Sequence, residues 1–107
     1  MQGPLVVPDL VIPEVCYLLA RGAEARVEGD FLRSLVSGRL AVEHVGDADI
    51  ERTAELVETY ADLGLGTVDA SVIAVAERLG ATIIATLDRR HFTVVRPAHV
   101  AAFELAP

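Results

Sequence analysis

There is no lysine in this chain of 107 residues; nine arginines face sixteen acids, for a formal net charge of −7. Phosphate-loop NTPases and most Schiff-base enzymes need a lysine ammonium, so both classes are excluded. The basic excess of a protein that coats nucleic acid by charge alone is missing too. An enzyme that acts on nucleic acid through bound cations stays open, because the cation reverses the local charge. Tryptophan is absent and only three Phe and two Tyr occur, although 52% of the residues are hydrophobic, so the core must be built from Val, Leu, Ile and Ala. That composition suits helices packed on a parallel sheet. Cys16 is the single cysteine; it can form no internal disulfide and points to a reducing cytosol. On its helix it reads as a small buried hydrophobe. No apolar run approaches the ~18–20 residues that span a bilayer. The basic start and apolar region of a secretory signal are missing at the N-terminus, so a cytoplasmic protein is expected.

What is present is organised around the stretch from Thr67 to Phe92, TVDASVIAVAERLGATIIATLDRRHF. Val68, Val72, Val75, Ala76 and Leu79 recur at the spacing of one helical face, with Thr67 as N-cap and Gly80 ending the helix in a left-handed turn. Thr82 to Leu87 has no polar alternation, as expected of a strand covered on both faces. Asp88 then leaves the sheet at a strand's carboxyl end, where open α/β sheets bind their ligands.

Upstream, Leu5 to Val7 is a short strand stopped by Pro8. Asp9 is placed to cap a helix that runs to about Arg21, with Pro13 in or just before the first turn, where a missing N–H does least harm. A second helix spans Ala23 to Ser37 on a face of Val27, Phe31 and Leu35, and Gly38 closes it. Leu40 to Val45 is a strand whose Glu43 and His44 suggest a sheet edge. Asp47 to Leu63 is the longest helix, with Ile50, Ala54, Val57 and Ala61 on the apolar face and Glu51, Glu55, Glu58 and Asp62 on the solvated one. After Asp88 come a turn, a short strand from Thr93 to Arg96 and a tail from Pro97. Strands alternating with helices predict one α/β domain over residues 1–107, a parallel sheet flanked by helices.

Glu14, Asp69 and Asp88 are the candidate functional acids. Each has an ordinary reading: Asp69 favours the positive end of its helix, Asp88 starts a turn, and Glu14 is a partly exposed helix residue. Glu14 nonetheless has Leu10 and Leu18 at i−4 and i+4, so its carboxylate lies along an apolar stripe. Three acids at helix starts and a strand end meet at one sheet edge if the strands are parallel, and like charges so close call for a divalent cation. Hard oxygen donors suit Mg²⁺ or Mn²⁺ rather than zinc. His44, His91 and His99 have no ligand spacing and read as surface residues.

These residues resemble a PIN-domain ribonuclease of the VapC toxin type. The resemblance rests on VVPDLVIPEVCYLLAR, on VDASVIAVAERLGATIIATLDRRHF, and on the order of the elements between them, and it covers essentially the whole chain. It implies a PIN-like three-layer fold that gathers four acids around Mg²⁺ or Mn²⁺. Glu14 corresponds to the acid of the PEV helix, Asp69 to the acid opening the late helix, and Asp88 to the acid of the T-x-D-x-x-F segment. Thr86 matches the family's hydroxyl position, which orients a carboxylate or a water. The family's first strand, with its aspartate, and first helix have no counterpart here, so the fold is expected to be N-terminally shortened. That strand is the family's central one, between those matching Leu5–Val7 and Thr82–Leu87, and its place is expected to be filled by a second chain, by an exchanged strand, or by collapse of Leu5–Val7 directly onto Thr82–Leu87.

The implied activity is endoribonuclease hydrolysis of an RNA phosphodiester, with Arg89, Arg90 and Arg96 as RNA-backbone contacts or simple solvated charge. The implied partners are RNA, a VapB-type antitoxin and a second copy in a homodimer or higher oligomer, with no membrane. The alternative is an inactive PIN-fold binding module that keeps only antitoxin or self-association. A receiver-like phosphoacceptor ranks low, since that fold needs a lysine beside its aspartates.

Overall fold

The computed structural model describes residues 5–81, 83–85 and 104–106. Its elements follow the expected order: β1 (Leu5–Pro8), α1 (Val11–Gly22), α2 (Ala25–Ser37), β2 (Leu40–Glu43), α3 (Asp47–Thr59), a 3₁₀ turn (Ala61–Leu63), α4 (Thr67–Leu79), β3 (Ile83–Ala85) and β4 (Glu104–Ala106). They form two compact units, Met1–Val45 and Gly46–Pro107. Each unit carries a two-stranded parallel sheet, as the α/β reading requires.

In the first unit β1 pairs with β2 from Leu5↔Leu40 to Pro8↔Glu43, and the α1–α2 pair makes the crossover that parallel strands need. Pro13 is the third residue of α1, so its missing N–H costs no helical bond. Asp9 does not cap α1 with its side chain. Instead its N–H donates to Glu43 O at 2.9 Å, its Oδ1 accepts Val45 N–H at 3.1 Å, and its Oδ2 accepts His44 Nδ1–H at 2.8 Å. The residue expected to start the helix therefore clasps the carboxyl ends of the two strands. The His44 imidazole, with Val45 N–H next, lowers the Asp9 pKa below its ordinary 3.8. A lowered carboxyl pKa contributes stability above the unfolded-state value and loses it as pH falls through the folded-state value. Urea midpoints of the wild type and Asp9→Asn should thus differ above pH 3.8 and converge below it. A gap that stays constant through that range would remove the clasp from the stability of this unit.

The second unit is built on an α-helical hairpin. α3 stops at Thr59 rather than Leu63, and the chain tightens into the 3₁₀ turn before Gly64 and Gly66 lead into α4. Gly66, not Thr67, is the N-cap of α4, and Thr67 is its first helical residue. Gly80 does end α4 as expected, at φ 69, a left-handed conformation that costs other L-residues about 1–2 kcal/mol. Leu56, Leu65, Ala70, Ile73, Ala74 and Ala76 form the core cluster. Fully burying Leu56 and Ile73 contributes roughly 1.5–3 kcal/mol each.

Two expected helix faces are corrected. In α3 the buried positions are Asp49, Thr53 and Leu56, while Ile50 of the expected face is 47% exposed. α4 is buried at Ala70, Ser71, Ile73, Ala74, Val75 and Ala76, positions that go all the way round a helix. It is a central helix rather than a one-sided one, and Leu79 of the expected face is exposed. Ser71 tolerates full burial because its Oγ donates to Val68 O. β3 pairs with β4 from Ile83↔Glu104 to Ala85↔Ala106, so part of the expected C-terminal tail is a strand. The expected strand Thr93–Arg96 lies outside the described residues.

Candidate functional site

Of the three candidate acids, the structure describes Glu14 and Asp69, one in each unit. Asp88, Thr86, Arg89, Arg90 and Arg96 lie outside the described residues, as do His91 and His99.

Glu14 sits in the first turn of α1 and is exposed. The half-buried positions of that helix are Val11, Ile12, Val15, Cys16 and Leu19, so Cys16 is only partly covered. Leu10, Tyr17 and Leu18 share the open side with Glu14. The apolar stripe seen in the sequence is real, but it faces outward. Glu14 consequently presents its side chain to water. Arg21, one turn beyond Tyr17, lies 5.4 Å from the Tyr17 ring centroid.

Asp69 is the acid of the first turn of α4, half-buried, one residue before the buried run begins. The backbone N–H groups of a helix's first turn favour a negative charge there. Both acids therefore have hard oxygen donors at helix starts that remain accessible to water. Each carboxylate, taken by itself, is the kind of hard oxygen donor that suits Mg²⁺ or Mn²⁺. No group of three His, Cys, Asp or Glu able to hold a metal occurs among the described residues.

The sequence reading missed four charged residues that join α3 to α4. Arg52 forks onto Glu77, Nε to Oε1 at 2.8 Å and NH2 to Oε2 at 3.0 Å, and also reaches Glu55 at 3.1 Å. Arg78 Nε donates to both oxygens of Asp49, at 3.0 and 3.2 Å. Asp49 further accepts the N–H of Gly46 at 3.1 Å, closing the first turn of α3. The carboxylates of Glu77 and Asp49 are nearly buried, 9% and 6% exposed. Glu77 first, then Glu55, raises the Arg52 pKa further above its ordinary value, against the opposing effect of burial. The available signal was Glu77–Arg78, an adjacent charge pair that follows the apolar run from Val72 to Ala76.

Residues 1–96 match the PIN domain family. The chain is also 37% identical over 103 residues to Ribonuclease VapC26 of Mycobacterium tuberculosis, an alignment that covers 96% of this chain and 76% of the relative. No helix among the described residues is long and apolar enough to cross a membrane. The α/β element order, the acids opening α1 and α4, and these two matches agree: the chain belongs to the PIN-domain family, on its VapC ribonuclease side.

Proposed function

We propose that the protein is a VapC-like toxin, a Mg²⁺- or Mn²⁺-dependent endoribonuclease that hydrolyses RNA phosphodiester bonds and is neutralised by a VapB-type antitoxin. The observation that carries this reading is the PIN match over residues 1–96, which includes both helix-opening acids. Glu14, Asp69 and Asp88 would hold the ion, directly or through water. When bound, the ion activates the attacking water and offsets the charge that develops on the phosphate. Thr86 would orient a carboxylate or a water, and the guanidinium forks of Arg89 and Arg90 would contact backbone phosphates. RNA cleavage by the purified protein should require Mg²⁺ or Mn²⁺ and stop with EDTA. Cleavage indifferent to EDTA would mean that other chemistry is at work.

The partner reading draws on the exposed apolar residues of the first unit. Leu10, just before α1, and Tyr17 and Leu18 on it offer a surface that an antitoxin segment would cover, and Leu5, Val6 and Val42 are exposed on the short β1–β2 sheet. These exposed apolar residues also favour a self-associated form. Light scattering should report at least twice the 11.4 kDa chain mass. A monomer at tens of micromolar would remove the oligomer from this reading.

A further inference from the structure

We propose that Arg52–Glu77 and Asp49–Arg78 form a register lock that positions Asp69; this rests on the reading of Asp69 as a metal-holding residue. The pairing of the first half of α3 with the end of α4 makes the hairpin antiparallel. The hairpin core gathers Leu56 of α3 and Leu65 with Ala70, Ile73, Ala74 and Ala76 of α4, and Val57, Tyr60 and Val72 pack against it; three of these four α4 core residues are alanines. Such a surface presents shallow ridges. It resists separation of the helices but only weakly opposes sliding or rotation of one along the other.

The ion pairs supply what the apolar contact lacks. Asp49 and Arg52 are about one turn apart on α3, and Glu77 and Arg78 are about 100° apart on α4. Satisfying both pairs at once fixes the axial position and the azimuth of α4 together. A slip of one helical turn, ~5.4 Å, would break both. Buried ion pairs add little net stability over well-packed apolar residues, and their best-attested use is to specify register. Asp69 lies on the same helix, two turns from Glu77 and ~12 Å along the axis. Because the helix between them is a hydrogen-bonded rod, its register at Glu77 sets the place of the Asp69 carboxylate. Arg52, Glu77, Asp49 and Arg78 are thus positioning residues, acting through α4.

The test compares the full chain with Arg52→Met/Glu77→Met, which keeps side-chain length without charge, and with Arg52→Lys, which keeps charge without the fork. Methyl NOEs from Leu56 to Ala70, Ile73 and Ala74 read the register without any metal, and Mn²⁺ titration reads the site. The Met pair should melt close to the wild type yet show altered or doubled NOEs. Its Mn²⁺ affinity should fall by about 10–100-fold, the range seen when residues supporting a metal ligand are removed. Arg52→Lys, which preserves folding even if the Met pair does not, should give an intermediate shift in both readouts. An unchanged NOE pattern and unchanged Mn²⁺ affinity in either folded variant would overturn the lock. Asp69→Asn is the control. If it binds Mn²⁺ as the wild type does, the assignment of Asp69 falls, and the NOEs alone then decide whether the hairpin is locked.

Discussion

Asp69→Asn should lower Mg²⁺- or Mn²⁺-supported RNA cleavage by about two to three orders of magnitude, the scale on which one preorganised charge-stabilising group acts. Asparagine has nearly the same shape as aspartate, so the opening turn of α4 and the buried run from Ala70 to Ala76 should be preserved. What is lost is a negative oxygen donor, which a hard divalent cation requires. The loss at the helix N-terminus costs only about 0.3–1 kcal/mol. Melting temperature and activity should therefore separate, with activity collapsing while the fold persists. Asp88→Asn is expected to behave in the same way. Initial rates across a metal titration provide the check; equal rates for wild type and Asp69→Asn, at every metal concentration, would end the assignment of this carboxylate to the reaction.

The largest effect on stability is expected from Arg52→Ala. Removing the guanidinium leaves the Glu77 carboxylate, 9% exposed, without the fork that offsets its burial. A fully buried pair broken from one side costs about 3–5 kcal/mol; this one is partly buried, with Arg52 32% exposed, so the loss should be about 1–3 kcal/mol, the range for a buried group that loses a hydrogen-bond partner. At ~4–8 °C per kcal/mol for a domain near this size, the melting point should drop by at least about 4 °C. Glu55→Ala removes the other contact of the same arginine, but Glu55 is 63% exposed. An exposed pair of this kind is worth about 0–1 kcal/mol, so Glu55→Ala should be close to neutral in urea or thermal unfolding. Similar losses for the two variants would show that burial of Glu77 does not set the energetics of the hairpin.

The order of strands and helices was legible in the sequence because it depends on local signals. Gly38 and Gly80 stop their helices as read, both in left-handed turns, and apolar runs mark β1, β2 and β3 where helical spacing is absent. The PEV and VDAS segments also gave away the family, since the acids opening α1 and α4 stand in short motifs that need no three-dimensional knowledge. Helix faces were less legible. Periodicity ranks a face by its apolar residues, whereas α3 turns Asp49 and Thr53 inward and leaves Ile50 half in water. A polar side chain can take a core position once a partner from another element satisfies it, and that partner is invisible in a local window. Thr53 is satisfied within its own helix by Asp49 O, but Asp49 needs Arg78 of α4, 29 residues away.

By itself, then, the sequence determined the α/β class, the run of elements and the kinship to PIN ribonucleases, all carried by short-range spacing. Only the tertiary structure decided that Asp9 clasps two strand ends through His44 and Val45 instead of capping a helix. It also decided that Glu14 stands in water rather than in a core, and that two ion pairs join α3 to α4. The physical reason is common to all three. Burial and charge pairing are set by which distant segments meet, and a side chain's neighbours along the chain do not report them.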